Sequence, residues 1–339
     1  MNYNEVLEKA KTTIGSKCRV CSECNGVACR GELPGMGGKG TGSSFIDNYK
    51  RLKDIKLNMD TIYEFKGIDT SIELFGKRFE LPVFAAPIGG LGVHYSGYYN
   101  DEEYTRAILQ GCKAAGTAGF SADDVKDENF ALQMKALSEA GGWGIPTIKP
   151  WKREELMDKI KMVEDAGALA VAMDIDAAGL TTLAKLGKPV SPKSAREIGE
   201  IVAATELPFI IKGIMTVKGA MKAVEAGAYG IVVSNHGGRV QDCTPATVQV
   251  LPEISGAVGG GIKIFVDGGI RTGTDVLKVL ALGADAVLIG RPYGVAAFGG
   301  GAEGVELYTK KIGTELRESM IMTGCGSLAD IDESIIYRK

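Results

Sequence analysis

From Val83 onward, short apolar runs rich in β-branched residues alternate with stretches whose apolar positions recur every three to four residues. Eight runs read as strands: Val83–Ala86, Thr117–Phe120, Gly144–Ile148, Leu169–Ile175, Pro208–Lys212, Gly230–Ser234, Ile262–Val266 and Ala286–Ile289. Helical periodicity fills the intervals, as in Glu102–Ala115, Lys152–Ala166 and Thr274–Leu282. A strand that is apolar throughout is buried on both faces, the signature of a parallel sheet covered by helices. Eight such units in about 250 residues predict a (β/α)8 TIM barrel. An open doubly wound sheet is the alternative, and it usually has fewer strands. An internal repeat favours the barrel. Ala115-Gly116-Thr117, Ala166-Gly167-Ala168, Ala226-Gly227-Ala228 and Leu282-Gly283-Ala284 each end a helix with a glycine and lead into every second strand.

The first seventy residues pattern differently. A helix is predicted near Tyr3–Ile14, then a stretch rich in cysteine and glycine from Cys18 to Ser44, then a second helix from about Phe45. Ser71–Leu81 reads as a short β-hairpin turning at Gly76-Lys77. The expected organisation is an N-terminal helical, Cys-rich cap over residues 1–70 on a barrel over residues 71–339.

Composition narrows the class. The chain has 339 residues, 45% hydrophobic and 24% charged, which excludes disorder and collagen-like repeats. Its 47 glycines are about twice the usual share, as suits many tight turns and backbone held close to a ligand. The net charge is −3, with no block of basic residues, so nucleic acid is not an expected partner. No apolar run approaches the length of a membrane span, and Met1–Lys11 lacks the pattern of a signal peptide, so a cytoplasmic location is expected. Seven cysteines in a chain this long do not suggest a disulfide scaffold.

In a (β/α)8 barrel the chemistry sits where the strands end. Those ends carry Pro87-Ile88-Gly89, Ser121, Thr147-Ile148-Lys149, Asp174-Ile175-Asp176, Lys212, Ser234-Asn235-His236-Gly237-Gly238-Arg239, Asp267-Gly268-Gly269-Ile270-Arg271 and Gly290-Arg291. The last two strands form the fold's usual phosphate site: glycines let backbone N–H groups approach an anion, and Arg271 and Arg291 can add bidentate contacts. His236 is flanked by glycines, has Arg239 three residues on to meet a carboxylate, and has Asp176 available to orient its ring, a general-base arrangement. His94, the only other histidine, reads as a loop residue. Lys212 faces the barrel mouth, where it could form a Schiff base or hold a negative group; spacing alone does not choose.

Together, Lys212-Gly213, Val233-Ser-Asn-His-Gly-Gly-Arg239, Asp267-Gly-Gly-Ile-Arg-Thr-Gly-Thr-Asp275 and Ile289-Gly-Arg-Pro292 closely resemble the FMN-dependent α-hydroxy-acid oxidising family, which includes glycolate oxidase, lactate oxidase and mandelate dehydrogenase. The resemblance runs from about Ser71 to Leu328. It implies that FMN is the cofactor and that a small 2-hydroxy acid is oxidised to the 2-oxo acid. His236 would be the base, Asp176 its partner, Arg239 the carboxylate clamp and Lys212 the group that stabilises the reduced flavin. Pro87, Ile88, Gly89, Ser121, Thr147, Asp174 and Ser234 would contact the flavin. Asp267, Gly268, Gly269, Arg271, Gly290 and Arg291 would hold the ribityl phosphate. A homotetramer is implied as well.

The chain departs from the family on the substrate side. Thr147 and Lys149 stand where a glutamine and a tyrosine are usual, and Asp174 where a threonine is. Residues 177–190 contain no arginine to complete the clamp. Lys149 is the candidate replacement for a lost substrate contact. These changes keep two other readings open: an FMN-barrel isomerase acting on a different substrate, and a flavin-binding protein without turnover.

Two motifs stand apart. Cys18-x2-Cys21-x2-Cys24-x4-Cys29 could hold an iron–sulfur cluster or zinc, or be a set of reduced, unliganded thiols; it nears the ferredoxin pattern but has one extra residue and no following proline. Gly35-x-Gly37-x-x-Gly40 matches a dinucleotide fingerprint, but no strand precedes it, so it reads as a loop near the barrel mouth.

Overall fold

The computed structural model describes residues 1–338. Two helices, α1 (Tyr3–Thr13) and α2 (Ser43–Asp54), precede a two-stranded hairpin, β1 (Ile72–Leu74) and β2 (Lys77–Phe79). Eight parallel strands follow: β3 (Val83–Ala85), β4 (Phe120–Ala122), β5 (Ile145–Ile148), β6 (Val171–Asp174), β7 (Phe209–Ile214), β8 (Gly230–Val233), β9 (Lys263–Val266) and β10 (Ala286–Ile289). Their order is β3-β10-β9-β8-β7-β6-β5-β4. The bridge between Ala85 and Gly119 joins β3 to the start of β4 and closes the barrel. The helices between strands are α3 (Leu91–His94), α4 (Asp101–Ala114), α5 (Asp127–Glu139), α6 (Arg153–Asp165), α7 (Thr181–Lys185), α8 (Ala195–Val202), α9 (Val217–Glu225), α10 (Thr247–Val258) and α11 (Gly273–Ala281). The long α12 (Arg291–Met322) follows β10 and bends at Gly301, whose φ is +58°.

The eight-stranded barrel is therefore the architecture, with three local differences from expectation. Residue Leu74 pairs with Lys77, so the hairpin turns at Phe75-Gly76, both with positive φ, one residue earlier than Gly76-Lys77. Strand β4 starts later than Thr117–Phe120. Strand β7 runs past Lys212 to Ile214 through a bulge at Gly213. That glycine has φ +103°, and a Cβ there would lie 2.6 Å from the Asp176 Cβ, so only glycine lets Asp176 pack this close.

Strand periodicity of two sorts the barrel into two cores. Val83, Val171, Met173, Ile211, Ile231, Val266 and Val287 pack outward against the helices. Phe84, Phe120, Ile145, Ala172, Ile210, Val232, Phe265 and Leu288 fill the interior. Leu74 and Phe79 of the hairpin belong to that interior core, so the hairpin plugs the end of the barrel opposite the strand C-termini. Stacked and edge-on contacts among Phe75, Phe79, Phe84, Phe120 and Phe265 complete the plug.

Candidate active site

Two residues beyond each interior apolar side chain, the same face of the strand reaches the open end of the barrel. Ile145 is thus followed by Thr147 and Lys149, Ala172 by Asp174, Ile210 by Lys212, Phe265 by Asp267 and Leu288 by Gly290. All of these line a cavity of about 710 Å³, together with Pro87, Ile88, Gly89, His236, Arg239, Gly268, Gly269, Arg271 and Arg291. Three expected flavin or catalytic residues do not line it. Ser121 lies between Phe120 and Ala122, and it is Ala122 that faces the cavity; the later start of β4 reverses which side Ser121 is on. Ser234 is fully buried beneath Lys212, and Asp176 sits behind His236. These act through neighbours rather than by touching a ligand.

The floor of the cavity is a charged network. Lys212 Nζ lies 3.1 Å from Ser234 Oγ, 3.4 Å from Asp174 Oδ1 and 3.6 Å from Asp267 Oδ2. Ser234 Oγ donates to Asp267 Oδ2 at 2.8 Å and accepts from the His236 backbone N–H at 3.0 Å. His236 Nδ1 donates to Asp176 Oδ1 at 3.0 Å, with Asp174 Oδ1 at 3.5 Å. Burial pushes the Asp176 carboxyl up. Burial acts the same way on Asp174, but the charges of His236 and Lys212 outweigh it and hold Asp174 well below the usual carboxylate range. For Lys212, burial is outweighed by Asp174, Asp176 and Asp267, which hold it above the usual lysine range. A charged lysine surrounded by carboxylates is no Schiff-base nucleophile.

His236 itself has φ +57°, and Gly237 and Gly238 follow at +60° and +78°. Three successive left-handed residues turn the chain back over the barrel. This turn is clamped to α2: Asn48 and Asn235 exchange amide hydrogen bonds at 2.7 and 3.1 Å in a buried pair. A Cβ at Gly269 would lie 2.2 Å from the Asn48 carbonyl oxygen, so α2 also rests on the loop after β9.

The N-terminal cap covers the mouth through its carbonyl groups. Arg239 Nη1 donates to the carbonyls of Gly35 and Gly37 at 2.7 and 3.4 Å. Arg291 donates to Met36 at 2.7 Å and Gly37 at 3.3 Å, and its guanidinium stacks 3.6 Å over the Phe45 ring. Arg271 donates to the Cys24 carbonyl through Nε and Nη2 at 3.0 and 2.8 Å. The arginines expected to stand open for substrate and phosphate therefore each spend donors on the cap. The glycine motif at Gly35–Gly40 is, as expected, a loop at the mouth, and its carbonyls are what the arginines hold.

The sequence reading passed over two residues. His94, expected only as a loop residue, lines the cavity, and its Nδ1 accepts from Arg239 Nη2 at 3.1 Å and from the Gly35 N–H at 3.3 Å. Both neighbours are donors, so the ring carries its proton on Nε2. Burial, reinforced by Arg239, pushes the imidazole down to about 3. Asp123, fully buried, accepts from Lys159 Nζ at 2.7 Å, from the Lys149 N–H at 3.1 Å and from the Trp151 indole. Its carbonyl also accepts from Lys149 Nζ at 2.7 Å, so Asp123 fixes the placement of Lys149. The signal was faint: Asp123 follows a strand end, but its partners Trp151 and Lys159 lie about thirty residues on.

The cavity fits FMN on its own terms. The N–H groups of Gly268, Gly269, Ile270 and Gly290 make no protein hydrogen bond among the described residues. They converge at the N-terminus of α12, which favours a phosphate dianion. Thr147 Oγ1 and Asp267 Oδ1 are buried without partners and await polar atoms of a ligand. The cysteines do not fit zinc. Four thiolates about 2.3 Å from one ion would stand about 3.8 Å apart, whereas among the described residues no three of their Sγ atoms lie within 4.8 Å of one another.

A family model described as FMN-dependent dehydrogenase matches residues 35–185 and 182–338. The chain is 33% identical over 337 residues to 4-hydroxymandelate oxidase of Amycolatopsis orientalis, covering 89% of this chain and 93% of that protein. It is 31% identical to a peroxisomal (S)-2-hydroxyacid oxidase of Arabidopsis thaliana, covering 84% and 85%. It is 32% identical to L-lactate oxidase of Lactobacillus jensenii, covering 79% and 71%. Among solved structures it resembles mandelate oxidase with 3,3-difluoro-2-hydroxy-3-phenylpropionic acid, with a TM-score of 0.79, 29% identity and coverage of 100% and 98%. A mandelate oxidase mutant with a monooxide FMN adduct gives a TM-score of 0.74 and 31% identity, with coverage of 89% and 93%.

Proposed function

The chain belongs to the FMN-dependent dehydrogenase family and oxidises a 2-hydroxy acid with FMN as cofactor, and from that premise we propose that its substrate is a small lactate- or glycolate-like acid and that His236 is the base. The carrying observation is the His236–Asp176 pair, 3.0 Å apart, opening on the cavity that Arg239 also lines. Gly268, Gly269, Ile270 and Gly290 would hold the phosphate through backbone N–H groups, and Thr147, Asp174 and Lys212 would meet the ring system. When bound, FMN takes up the electron pair that leaves the substrate's α-carbon.

The protein's own part is positioning and proton transfer. Arg239 draws the substrate carboxylate to one place, through the N–H groups it does not spend on the cap. Asp176 holds His236 with its proton on Nδ1, which leaves Nε2 with a lone pair facing the cavity. That nitrogen removes the substrate proton, and Asp176 stabilises the imidazolium that results. Lys212 keeps a fixed positive charge at the floor where negative charge builds up. Lys149, pinned by Asp123, supplies a cation on the side where the second clamp arginine is missing.

The test is anaerobic. Adding 2-hydroxy acids one by one to the purified FMN protein should bleach the flavin's visible band with the true substrate, and His236→Ala should abolish the bleaching. Bound FMN that no 2-hydroxy acid reduces would refute the substrate assignment. The cytoplasm as location and a homotetrameric assembly belong to the same proposal, the latter tested by light scattering of the purified protein. Among the described residues no helix is long and apolar enough to cross a membrane.

A further inference from the structure

Residues 14–42, between α1 and α2, contain no helix or strand. A loop this long without regular structure needs something to organise it. Hydrophobic burial supplies little, since Cys21, Glu23, Asn25 and Val27 are all exposed or nearly so. Yet the loop has an exact task, because its carbonyls at Gly35, Met36 and Gly37 hold Arg239 and Arg291. Within it lie Cys18, Cys21, Cys24 and Cys29, all unpaired by disulfides.

We propose that Cys18, Cys21, Cys24 and Cys29 bind a four-iron, four-sulfide cluster that organises this loop over the barrel mouth. Three observations carry it. First, Cys18, Cys21 and Cys24 keep the C-x2-C-x2-C spacing that wraps one such cluster, and the fourth ligand commonly arrives at a freer distance. Second, the thiols form one group: charge on Cys21, Cys24 or Cys29 is felt at Cys18. They are too far apart for one shared ion. In a cubane each thiolate binds a different iron, so its thiolates stand wider apart than those around a single ion. Third, the surroundings suit a cluster, which with four thiolates is net negative. Arg271 Nη2 lies 3.6 Å from Cys24 Sγ, and the Arg291 guanidinium feels both Cys24 and Cys29. The Val20 N–H points at Cys18 Sγ at 3.5 Å, and Val20 reaches this position only with φ +45°, a conformation a β-branched residue rarely adopts.

Binding converts four thiols to thiolates and releases four protons, and no electron changes hands in that step. The site is independent of the substrate, so it stands or falls apart from the hydroxy-acid reading.

The experiment is iron and acid-labile sulfide analysis of the full-length FMN protein, purified anaerobically and reconstituted with ferrous iron and sulfide. The expected result is about four of each per chain, with a paramagnetic signal on reduction by dithionite. Cys18→Ser and Cys24→Ser should lose the iron and keep FMN, whereas Cys243→Ser should keep both. Iron-free protein after reconstitution would overturn the proposal, as would stoichiometric zinc in place of iron, or iron that survives both Cys18→Ser and Cys24→Ser. Because the wild-type content decides alone, a variant that fails to fold does not rescue the idea.

Discussion

The protonation of His94 makes a sharp test of the cavity's electrostatics. Its ring sits 3.1 Å from the Arg239 guanidinium and is pushed down to about 3 by burial and that charge. In the unfolded chain the same imidazole titrates near its ordinary value of about 6.5. The unfolded state therefore binds a proton that the folded state refuses, and His94's contribution to stability is complete above pH of about 6.5. It erodes as pH falls below that value and is exhausted near pH 3. Each pH unit in the window is worth about 1.4 kcal/mol, so about 2 kcal/mol is at stake by about pH 5. Water reaches part of the ring, which lowers the expectation to about 1–2 kcal/mol. The perturbation is His94→Asn, whose side-chain oxygen keeps an acceptor near the Nδ1 position without a titrating group. Urea unfolding of the FMN-loaded wild type and variant at about pH 7.5 and about pH 5 gives a double difference in which other titrating groups cancel. Wild type should lose about 1–2 kcal/mol more than His94→Asn on acidification. Equal losses would refute a neutral His94 facing Arg239. A larger loss in the variant would reverse the sign of the reasoning.

Other outcomes follow from single contacts. Lys159→Met leaves the fully buried Asp123 carboxylate without its cation and should cost about 3–5 kcal/mol in urea unfolding, with part recovered in Asp123→Asn/Lys159→Met. Asp176→Asn removes the carboxylate that holds the His236 tautomer; anaerobic flavin reduction should slow by about 100-fold or more while FMN content is unchanged. Gly269→Ala places a Cβ against the Asn48 carbonyl at a residue with φ +82°, so FMN should dissociate at least about 10-fold more readily, read by the return of free-flavin fluorescence.

The barrel was legible because each strand of a closed parallel sheet is a continuous apolar run, and because helix-ending glycines mark every second unit. The floor was legible for a related reason: an inward column that is apolar twice and then polar can only be a strand reaching a mouth, as in Ile210-Ile211-Lys212 and Phe265-Val266-Asp267. Ser121 failed on parity. Strand β4 begins at Phe120, and a shift of a few residues in where a strand starts reverses the face assigned to a side chain. His94 and Asp123 failed on locality. Neither has a local pattern, since the partners that define them, Arg239 for one and Lys159 for the other, meet them only through the closed barrel. The cap's carbonyl contacts were invisible for the same reason, because a backbone oxygen leaves no mark in a sequence.

Asp174 shows how the departures from the family combine. A threonine at that place would add no charge, whereas the carboxylate lies 3.4 Å from Lys212 and 3.5 Å from His236. The floor then holds three carboxylates, Asp174, Asp176 and Asp267, against one fixed cation, Lys212. With like charges this close, the carboxylates cannot all ionise with equal ease, and the observed opposition follows: Asp174, between the two cations, is held low, and Asp176 is raised. Positive charge has meanwhile gathered on the other side of the cavity, where Lys149 joins Arg239, and His94 stays neutral because that side is already positive. The polarity of the cavity is thus steeper than one lysine above one Asp–His pair would make it. A substrate carboxylate is drawn toward the cap, and its α-carbon is left beside His236, so orientation is imposed by charge even though the second clamp arginine is gone.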